Sequence, residues 1–305
     1  MSTVADNSGN SPGKHESVVA LLNAFPGECD PKAIIRKLAR EKIAIAKGRG
    51  WKGPAFCPKM LASLFHIRCK EVHADIGGDG RILPYPDGKL WIEYCSGRSP
   101  ERQRFTIFHE FAHTLFPDFC EFVPCHHAAP NSTKDPEREF ENLCDIAASE
   151  MLLPLEDVKE DLAQMKQVSF EEFDRLSRRY EASIDATTHR FTELVEGVPC
   201  TVVFLTDQKG NNPGRGPLWV KYCCRNPSFK GFIPTGTTTP ATSVALRCYR
   251  NGEKITHPEK ETWWPNGKPR TWLAQAIKLP EVLHHPDYSK VAVLLLPSSY
   301  KGKPC

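Results

Sequence analysis

Residues 104–113 read RFTIFHEFAH and carry two histidines four positions apart. The apolar residues of this stretch and its flanks recur at the spacing of a buried helix face, which predicts a helix from about Arg102 to Phe116. Side chains four positions apart on a helix lie on one face, about one turn apart along the axis. The imidazoles of His109 and His113 are therefore expected to face a single metal ion.

Glu110 directly follows the first histidine and completes an H-E-x-x-H arrangement. On a helix, this pattern places a carboxylate beside a zinc ion that two histidines hold. Zinc polarises the carbonyl of the scissile bond, and Glu110 acts as the general base that takes a proton from water and passes it to the leaving amine. The motif predicts a zinc-dependent peptidase with Zn²⁺ as its cofactor.

A catalytic zinc site needs a third protein ligand and leaves its fourth position open. The next predicted helix ends at Pro154 and carries Glu141 on the flank of its apolar stripe, so we expect Glu141 to be that ligand. Asp145, one turn further along, is expected to accept a hydrogen bond from a ligating imidazole. Glu137 and Glu139 are interpreted as solvated charges that complement the helix N-terminus.

Twelve cysteines are spaced irregularly along the chain, without a Cys-x-x-Cys pair, so free thiols are expected. One cluster contains Cys120, Cys125, His126 and His127. Its spacing differs from that of a zinc knuckle, and a surface loop is the simpler interpretation. His126 or His127 nevertheless remains open as an alternative third ligand.

The composition, with 40% hydrophobic and 25% charged residues in a chain of 305, is typical of a globular protein. No run of eighteen apolar residues and no signal peptide is evident, which predicts a cytoplasmic protein without a membrane partner.

Residues 201–305 hold 15 Lys and Arg against 6 Asp and Glu (+9), whereas the residues before them hold 25 against 31 (−6). A basic segment can attract nucleic acid, but a solvated surface is commoner, so direct nucleic-acid binding stays open.

The helices and strands before the H-E-x-x-H helix are predicted from helix-capping residues, turn residues and the alternation of apolar and polar residues. They are helices starting at Asp30-Pro31 and spanning 60–65, and strands over 67–72, 81–85 and 89–94. The strand at 89–94 is expected to bind an extended substrate by edge addition. This hairpin precedes the metal-binding helix directly.

Elements after that helix change character along the chain. Helices are predicted to begin at Ser169 and Ser183, and the pattern after Gly197 predicts strands over 202–205, 218–224, 244–250 and 291–296. Tyr180 and His189 are candidates for a donor to the transition state, with packing as the alternative role. Trp263-Trp264 with Lys268 and Arg270 is interpreted as either a partner surface or a core pair flanked by solvated charge.

Two stretches of the chain resemble the ImmA/IrrE zinc metallopeptidases of bacteria and their viruses. Residues 104–113 are similar to that family's signature helix, and residues 141–154, ENLCDIAASEMLLP, are similar to its second helix. Ser183, Ala186 and Arg190 match positions in a third helical segment. The chain has Asp145 where asparagine is frequent in the family, and Ala147 where an aromatic residue is usual.

The resemblance implies that His109, His113 and Glu141 bind zinc and that Glu110 is the base. It also implies a protein partner, a helix-turn-helix transcriptional repressor, whose cleavage switches on stress-response or mobile-element genes. Some members carry a C-terminal sensor-like domain that resembles a GAF fold.

The expected fold class is α+β. A flexible tail over 1–28 is followed by a zincin-like peptidase domain with a helical segment over 29–196. A smaller, basic, mainly β domain over 197–305 completes the chain, and the resemblance suggests a sensory, GAF-like fold for it.

Three other functions compete with a regulatory endopeptidase. A non-cleaving zincin-scaffold protein could sequester a regulator, but such a binder would not need Glu110. A DNA-binding regulator would use the basic C-terminal third, and its DNA binding would depend on salt. A zinc hydrolase of small amides is disfavoured because H-E-x-x-H on a helix favours peptide substrates.

Overall fold

The computed structural model describes residues 14–74, 76–86, 88–119, 136–209, 212–213, 218–280 and 289–302. The chain divides into two compact units, Met1–Pro154 and Leu155–Cys305. Both units contain helices and strands, so mixed α+β structure is confirmed. The cluster at residues 120–127 lies outside the described residues, and so do residues 1–13.

The first unit contains five described helices and three strands, most of which begin where the sequence predicts them. The helices are α1 (Glu16–Ala24), α2 (Pro31–Gly48), α3 (Pro58–Leu64), α4 (Pro100–His113) and α5 (Pro136–Leu152), and the strands are β1 (Arg68–Val72), β2 (Gly80–Pro84) and β3 (Leu90–Cys95). The α2 cap is the predicted one, since the carboxylate of Asp30 accepts the Lys32 N–H at 3.0 Å. Capping of this kind satisfies N–H groups that a helix leaves unpaired.

The three strands form one sheet in the order β1-β3-β2, with β1 parallel and β2 antiparallel to β3. β3 is therefore the central strand, and its backbone groups are paired on both sides. The prediction that residues 89–94 receive a substrate at an edge is wrong for this reason. Of the described strands, β2 is the one that borders α4 and keeps a free edge.

α1 lies within the segment that the sequence analysis treats as a flexible tail. Its residues Val18 and Leu21 are fully buried, and the His15 ring stacks on Phe140 of α5 at a centroid distance of 4.5 Å. Burial of these apolar groups explains why this short segment is helical. The described part of the predicted tail is therefore ordered against the first unit.

Glu150 of α5 is fully buried and is held by two arginines of α2. The Arg40 Nε donates to Glu150 Oε1 at 2.9 Å, and an amino group of Arg36 donates to Glu150 Oε2 at 3.3 Å. A buried carboxylate is tolerated only with such charge partners. This ion-pair group fixes α2 against α5, the helix that carries Glu141.

Replacing both arginines, Arg36→Met with Arg40→Met, is expected to lower the free energy of unfolding by about 3–5 kcal/mol, because it removes the charge partners of a buried carboxylate. Urea unfolding followed by circular dichroism measures this loss. The control is Lys37→Met, which removes an exposed cation of the same helix. A double variant as stable as this control would contradict the anchoring role.

The second unit contains four described helices packed with a five-stranded antiparallel sheet. The helices are α6 (Leu155–Gln164), α7 (Phe170–Tyr180), α8 (Ile184–Leu194) and α9 (Val244–Asn251), and the strands are β4 (Thr201–Thr206), β7 (Trp219–Arg225), β8 (Glu259–Trp263), β9 (Arg270–Lys278) and β10 (Val291–Pro297), in the order β7-β4-β10-β9-β8. A separate short pair joins β5 (Gln208–Lys209) and β6 (Asn212–Pro213). The serines predicted to cap α7 and α8 do so, as Ser169 accepts the Glu172 N–H and Ser183 accepts the Ala186 N–H.

Residues 244–251 form α9, so the strand predicted over 244–250 is wrong. A short apolar run reads equally well as a buried strand or a buried helix. Contacts distant in sequence decide the outcome, because the Glu261 carboxylate accepts the N–H of Val244 and the hydroxyl of Ser243 at the start of the helix. Gly252, with φ of 72°, ends it in the left-handed conformation that glycine adopts without strain.

The boundary between the two compact units, at Pro154, precedes the predicted domain boundary at 196. The helices α6 to α8, which the sequence analysis assigns to the peptidase domain, lie in the same compact unit as the C-terminal sheet. For example, the side-chain amide of Gln275 on β9 donates to Glu171 of α7 at 2.8 Å. Strands β8 and β9 and helix α6 were not predicted.

The cysteines within the described ranges are all free thiols, as predicted. None of the helices in the described part of the chain has the length and apolar character needed to cross a membrane.

Candidate metal centre

α4 brings the H-E-x-x-H residues together as the local sequence predicts. The helix begins directly after the Ser99 cap, whose hydroxyl accepts the Arg102 N–H at 3.3 Å, with Pro100 in the first position. The rings of His109 and His113 are 5.1 Å apart between centroids, with an angle of 74° between their planes. Both imidazoles are directed to the same side of the helix.

His109, Glu110 and His113 form a group whose potential ligand atoms all lie within 4.8 Å of one another. The Glu110 Oε2 lies 4.0 Å from the His113 Nε2. Glu110 and His113 are buried, each with 8% of its surface exposed. Such a buried cluster of nitrogen and oxygen donors could hold a metal ion.

Two acidic side chains of α5 contact the two ring nitrogens of His109. The Glu141 Oε2 lies 2.9 Å from His109 Nε2, and the Asp145 Oδ1 lies 2.9 Å from His109 Nδ1. Of the two histidines, Glu141 thus contacts His109. The group whose potential ligand atoms lie within 4.8 Å of one another comprises only the three α4 residues. Glu137 is engaged elsewhere, since its carboxylate lies 3.2 Å from His15 Nε2.

Cys144 contacts the second histidine, a role that the sequence analysis did not assign to it. Its Sγ lies 3.6 Å from His113 Nδ1, and its side chain is fully buried. Burial keeps the pKa of this thiol well above its usual value, so it is a neutral partner of the ring. The signal in the sequence is its position three residues after Glu141 and next to Asp145, on one helix face.

The two central ionisable groups have strongly shifted pKa values. Burial alone would lower the pKa of His109, but the hydrogen bonds to Asp145 and Glu141 outweigh it and raise that pKa to about 10. Burial raises the pKa of Glu110 to about 7, against the opposing effects of His109 and of the Ile82 N–H, which donates to the carboxylate. Shifted groups in one cluster are typical of functional sites.

The β2 strand runs close to Glu110, and its outer edge pairs with none of the other described strands. Backbone bonds from Cys95 N–H to Asp79 O and from Tyr85 N–H to Lys89 O set the register, which turns the Ile82 N–H away from β3. Gly80 permits the close approach of α4, because a Cβ there would overlap Thr106 and lie 3.2 Å from the Glu110 Cγ. The edge is therefore a place where an extended chain could pair beside the cluster.

The two residues considered as transition-state donors belong to the second compact unit. Tyr180 is fully buried, and its hydroxyl donates to Asp161 at 2.7 Å. His189 stacks on Phe204 at a centroid distance of 5.5 Å and contacts Tyr222. Both side chains have packing partners in their own unit.

The side chains present suit a zinc ion, because imidazole nitrogens and carboxylate oxygens are ligands that zinc takes in catalytic sites. The His109 ring between Glu141 and Asp145 matches the arrangement in which one nitrogen binds metal and the other donates to a carboxylate. The raised pKa of His109 reflects the surplus of negative charge around it. A cation would compensate that charge.

Replacing Asp145 with alanine is expected to weaken metal binding about 10- to 100-fold, because the His109 ring loses the acceptor that orients it. Asp145→Asn keeps an acceptor oxygen and is expected to bind nearly as well as the original chain. Competition with a chromophoric chelator measures both affinities. Equal loss in the alanine and asparagine variants, or none in either, would contradict this role, and Asn142→Ala on the exposed face is the control.

Part of the chain is similar in sequence to known metallopeptidases. Residues 77–192 match the sequence model of the IrrE N-terminal-like domain, Peptidase M78. The radiation response metalloprotease IrrE of Deinococcus radiodurans is 25% identical over 173 residues, which are 52% of this chain and 51% of that protein. The chain thus spans about half the length of the curated relative that it matches.

A transcriptional regulator of Mycobacterium tuberculosis has a similar solved structure. The TM-score is 0.53 at 17% identity, and the match covers 88% of this chain and 82% of that one. At this level of identity the likeness concerns the fold alone.

Proposed function

We propose that this chain is a zinc-dependent endopeptidase of the ImmA/IrrE family, because residues 77–192 match the IrrE N-terminal-like domain and a metalloprotease is among its relatives. The observation that supports this proposal best is the buried group of His109, Glu110 and His113, with Glu141 against His109. In the proposal, His109, His113 and Glu141 hold Zn²⁺. A bound zinc ion would supply Lewis-acid polarisation of the scissile carbonyl.

Glu110 is the general base of this proposal. Its carboxylate is held by the Ile82 N–H and lies in the space that both imidazoles face. A carboxylate with a pKa near 7 can take a proton from water and return it to the leaving amine. A cation beside it would favour the ionised form that a base needs.

The free edge of β2 would bind the substrate in an extended conformation. Edge pairing uses backbone groups of the substrate, so it gives affinity with little dependence on side chains. It would also bring a peptide bond next to Glu110, because the Ile82 N–H already reaches that carboxylate. A protein segment that can unfold locally is a better substrate for such an edge than a folded helix.

We propose a helix-turn-helix transcriptional repressor as the protein partner, cleaved in the cytoplasm to release stress-response or mobile-element genes. The free thiols of the described residues agree with a reducing compartment. The C-terminal unit would act as a GAF-like sensor, a role that its five-stranded antiparallel sheet with flanking helices supports.

The test is to incubate the zinc-loaded chain with a repressor encoded beside its gene and to identify fragments by mass spectrometry. We expect cleavage at one site, its loss after treatment with a chelator, and its return when zinc is added back. Complex formation without fragments at any metal concentration would instead support a sequestering protein. Cleavage that is indifferent to chelator would contradict the metal mechanism.

A further inference from the structure

Two exposed aromatic rings lie on neighbouring loops of the second unit. Among the described residues, five large hydrophobic side chains are exposed, and the aromatic ones are Phe232, at 58%, and Trp264, at 42%. Their sequence neighbours are buried, with Trp263 at 0% and Ile233 at 4%. Phe232 and Trp264 therefore lie largely outside the core of the second unit.

The two loops are joined firmly through their backbones. The Asn266 N–H donates to Phe232 O at 2.7 Å, and its side-chain amide donates to Lys230 O at 3.4 Å. Gly231 packs so closely that a Cβ there would lie 2.8 Å from Pro265 Cβ. The loops thus present both rings on one preformed surface, which lowers the entropy lost when a ligand binds.

Four exposed cations belong to the same two loops and the strand ends beside them. Arg225 ends β7 and donates to Gly231 O at 2.9 Å, and Lys230 precedes Gly231. Lys268 and Arg270 follow Trp264 across the β8–β9 turn. Residues 225–243 and 262–280 contain no aspartate or glutamate. Within the described parts of the chain, none of the four cations is paired with a carboxylate.

We propose that this aromatic–basic surface, formed by Arg225, Lys230, Phe232, Trp264, Lys268 and Arg270, binds single-stranded nucleic acid. Aromatic rings offer faces on which unpaired bases stack, and arginine and lysine contact the phosphates between them. Protein–protein interfaces are depleted of lysine, whereas two of the four cations beside these rings are lysines. In a duplex the base faces are hidden. Its phosphates could contact the cations, but its bases could not stack on the two rings.

The experiment uses the full chain and fluorescence anisotropy with a labelled 16-nucleotide single-stranded DNA of mixed sequence, the same sequence as RNA, its DNA duplex, and a poly-glutamate peptide. We expect single strands to bind more tightly than the duplex. Each of Phe232→Ala and Trp264→Ala is expected to weaken single-strand binding about 5- to 150-fold, the range for loss of one stacked base. Metal-stripped protein is expected to bind equally well.

The cations are tested through the salt dependence. Lys230→Gln with Lys268→Gln is expected to reduce the slope of log affinity against log salt by about 1.4, since each phosphate contact of a single strand contributes about 0.7. The matched control is Lys260→Gln, which changes an exposed lysine of β8 outside this surface. It is expected to leave the salt slope and the affinity for single strands nearly unchanged. Unchanged thermal melting excludes misfolding of the variants.

Ring variants that bind single strands like the original chain would overturn the proposal. Duplex binding as tight as single-strand binding would also overturn it, because stacking would then have no part. Binding of poly-glutamate with the same dependence on both rings would identify an acidic protein as the partner instead.

Discussion

Glu110→Gln is expected to abolish peptide cleavage, with a fall in kcat of about 10²- to 10⁴-fold, while metal binding is kept. The amide has the shape of the carboxylate and can still accept the Ile82 N–H, but it cannot take a proton from water. Fragment formation from the repressor is followed by mass spectrometry, and zinc content is measured by elemental analysis.

The stability of this variant provides a second readout. Burial raises the pKa of Glu110 from its ordinary value of 4.5 to about 7, so the metal-free native state loses stability as pH rises from 4.5 to about 7, where the unfolded chain is ionised and the native carboxyl is still protonated. The neutral amide removes this cost, so metal-free Glu110→Gln is expected to match the original chain below about pH 4.5 and to be more stable above that pH, with the full difference reached near pH 7. Inactivity then cannot be attributed to unfolding.

Glu101→Gln is the matched control for this prediction. It makes the same chemical change in the first turn of α4, far along the helix from His109. Full activity is expected. The free energy of unfolding should fall by less than about 1 kcal/mol, because a negative charge near the N-terminus of the helix is lost. Cleavage by Glu110→Gln at the original rate would remove Glu110 from the mechanism.

His113→Ala is expected to lower the affinity for metal. The loss should exceed the 10- to 100-fold loss expected for Asp145→Ala, because a ligand is removed and not only the residue that orients one. The variant removes one of the two imidazoles, and Cys144 is not placed to replace it, because its Sγ lies at the Nδ1 of His113 whereas the Nε2 faces Glu110. Chelator competition measures the affinity, and elemental analysis of the purified protein measures the stoichiometry. Activity is expected to disappear together with the metal.

His73→Ala serves as the control, because His73 is exposed and its ring contacts only Ser96 among the hydrogen bonds described, at 2.8 Å. Equal metal content in the two variants would show that the centre lies elsewhere. Glu141→Gln, compared with Glu139→Gln, then tests the third ligand. Loss of affinity in the first variant alone is the expected result.

The sequence predicted those parts of the site that depend on a single helix. His109, Glu110 and His113 lie together because helical geometry alone fixes their spacing, and their clustering was expected before any fold was known. The contacts of Glu141 and Asp145 with His109 were also anticipated, since the two acids lie one turn apart on the flank of the apolar stripe of α5. Their roles as metal ligand and orienting partner remain proposals.

Features that depend on pairing between distant segments were missed or predicted wrongly. The hairpin before α4 was found, but β1 adds to the outer side of β3, so the free edge beside α4 belongs to β2. Residues 244–251 became a helix because Glu261, distant in sequence, accepts hydrogen bonds at its start. Neither outcome leaves a periodic signal in the local sequence.

By itself, the sequence determined where most helices begin, which helix carries the two histidines and the base, and which acids of the next helix face them. All of these follow from backbone periodicity and capping within a few residues. The tertiary structure alone decided that Cys144 contacts His113, that β2 borders Glu110, and that Phe232 and Trp264 share one basic surface. Such contacts join residues far apart in the chain, and close packing between elements selects them.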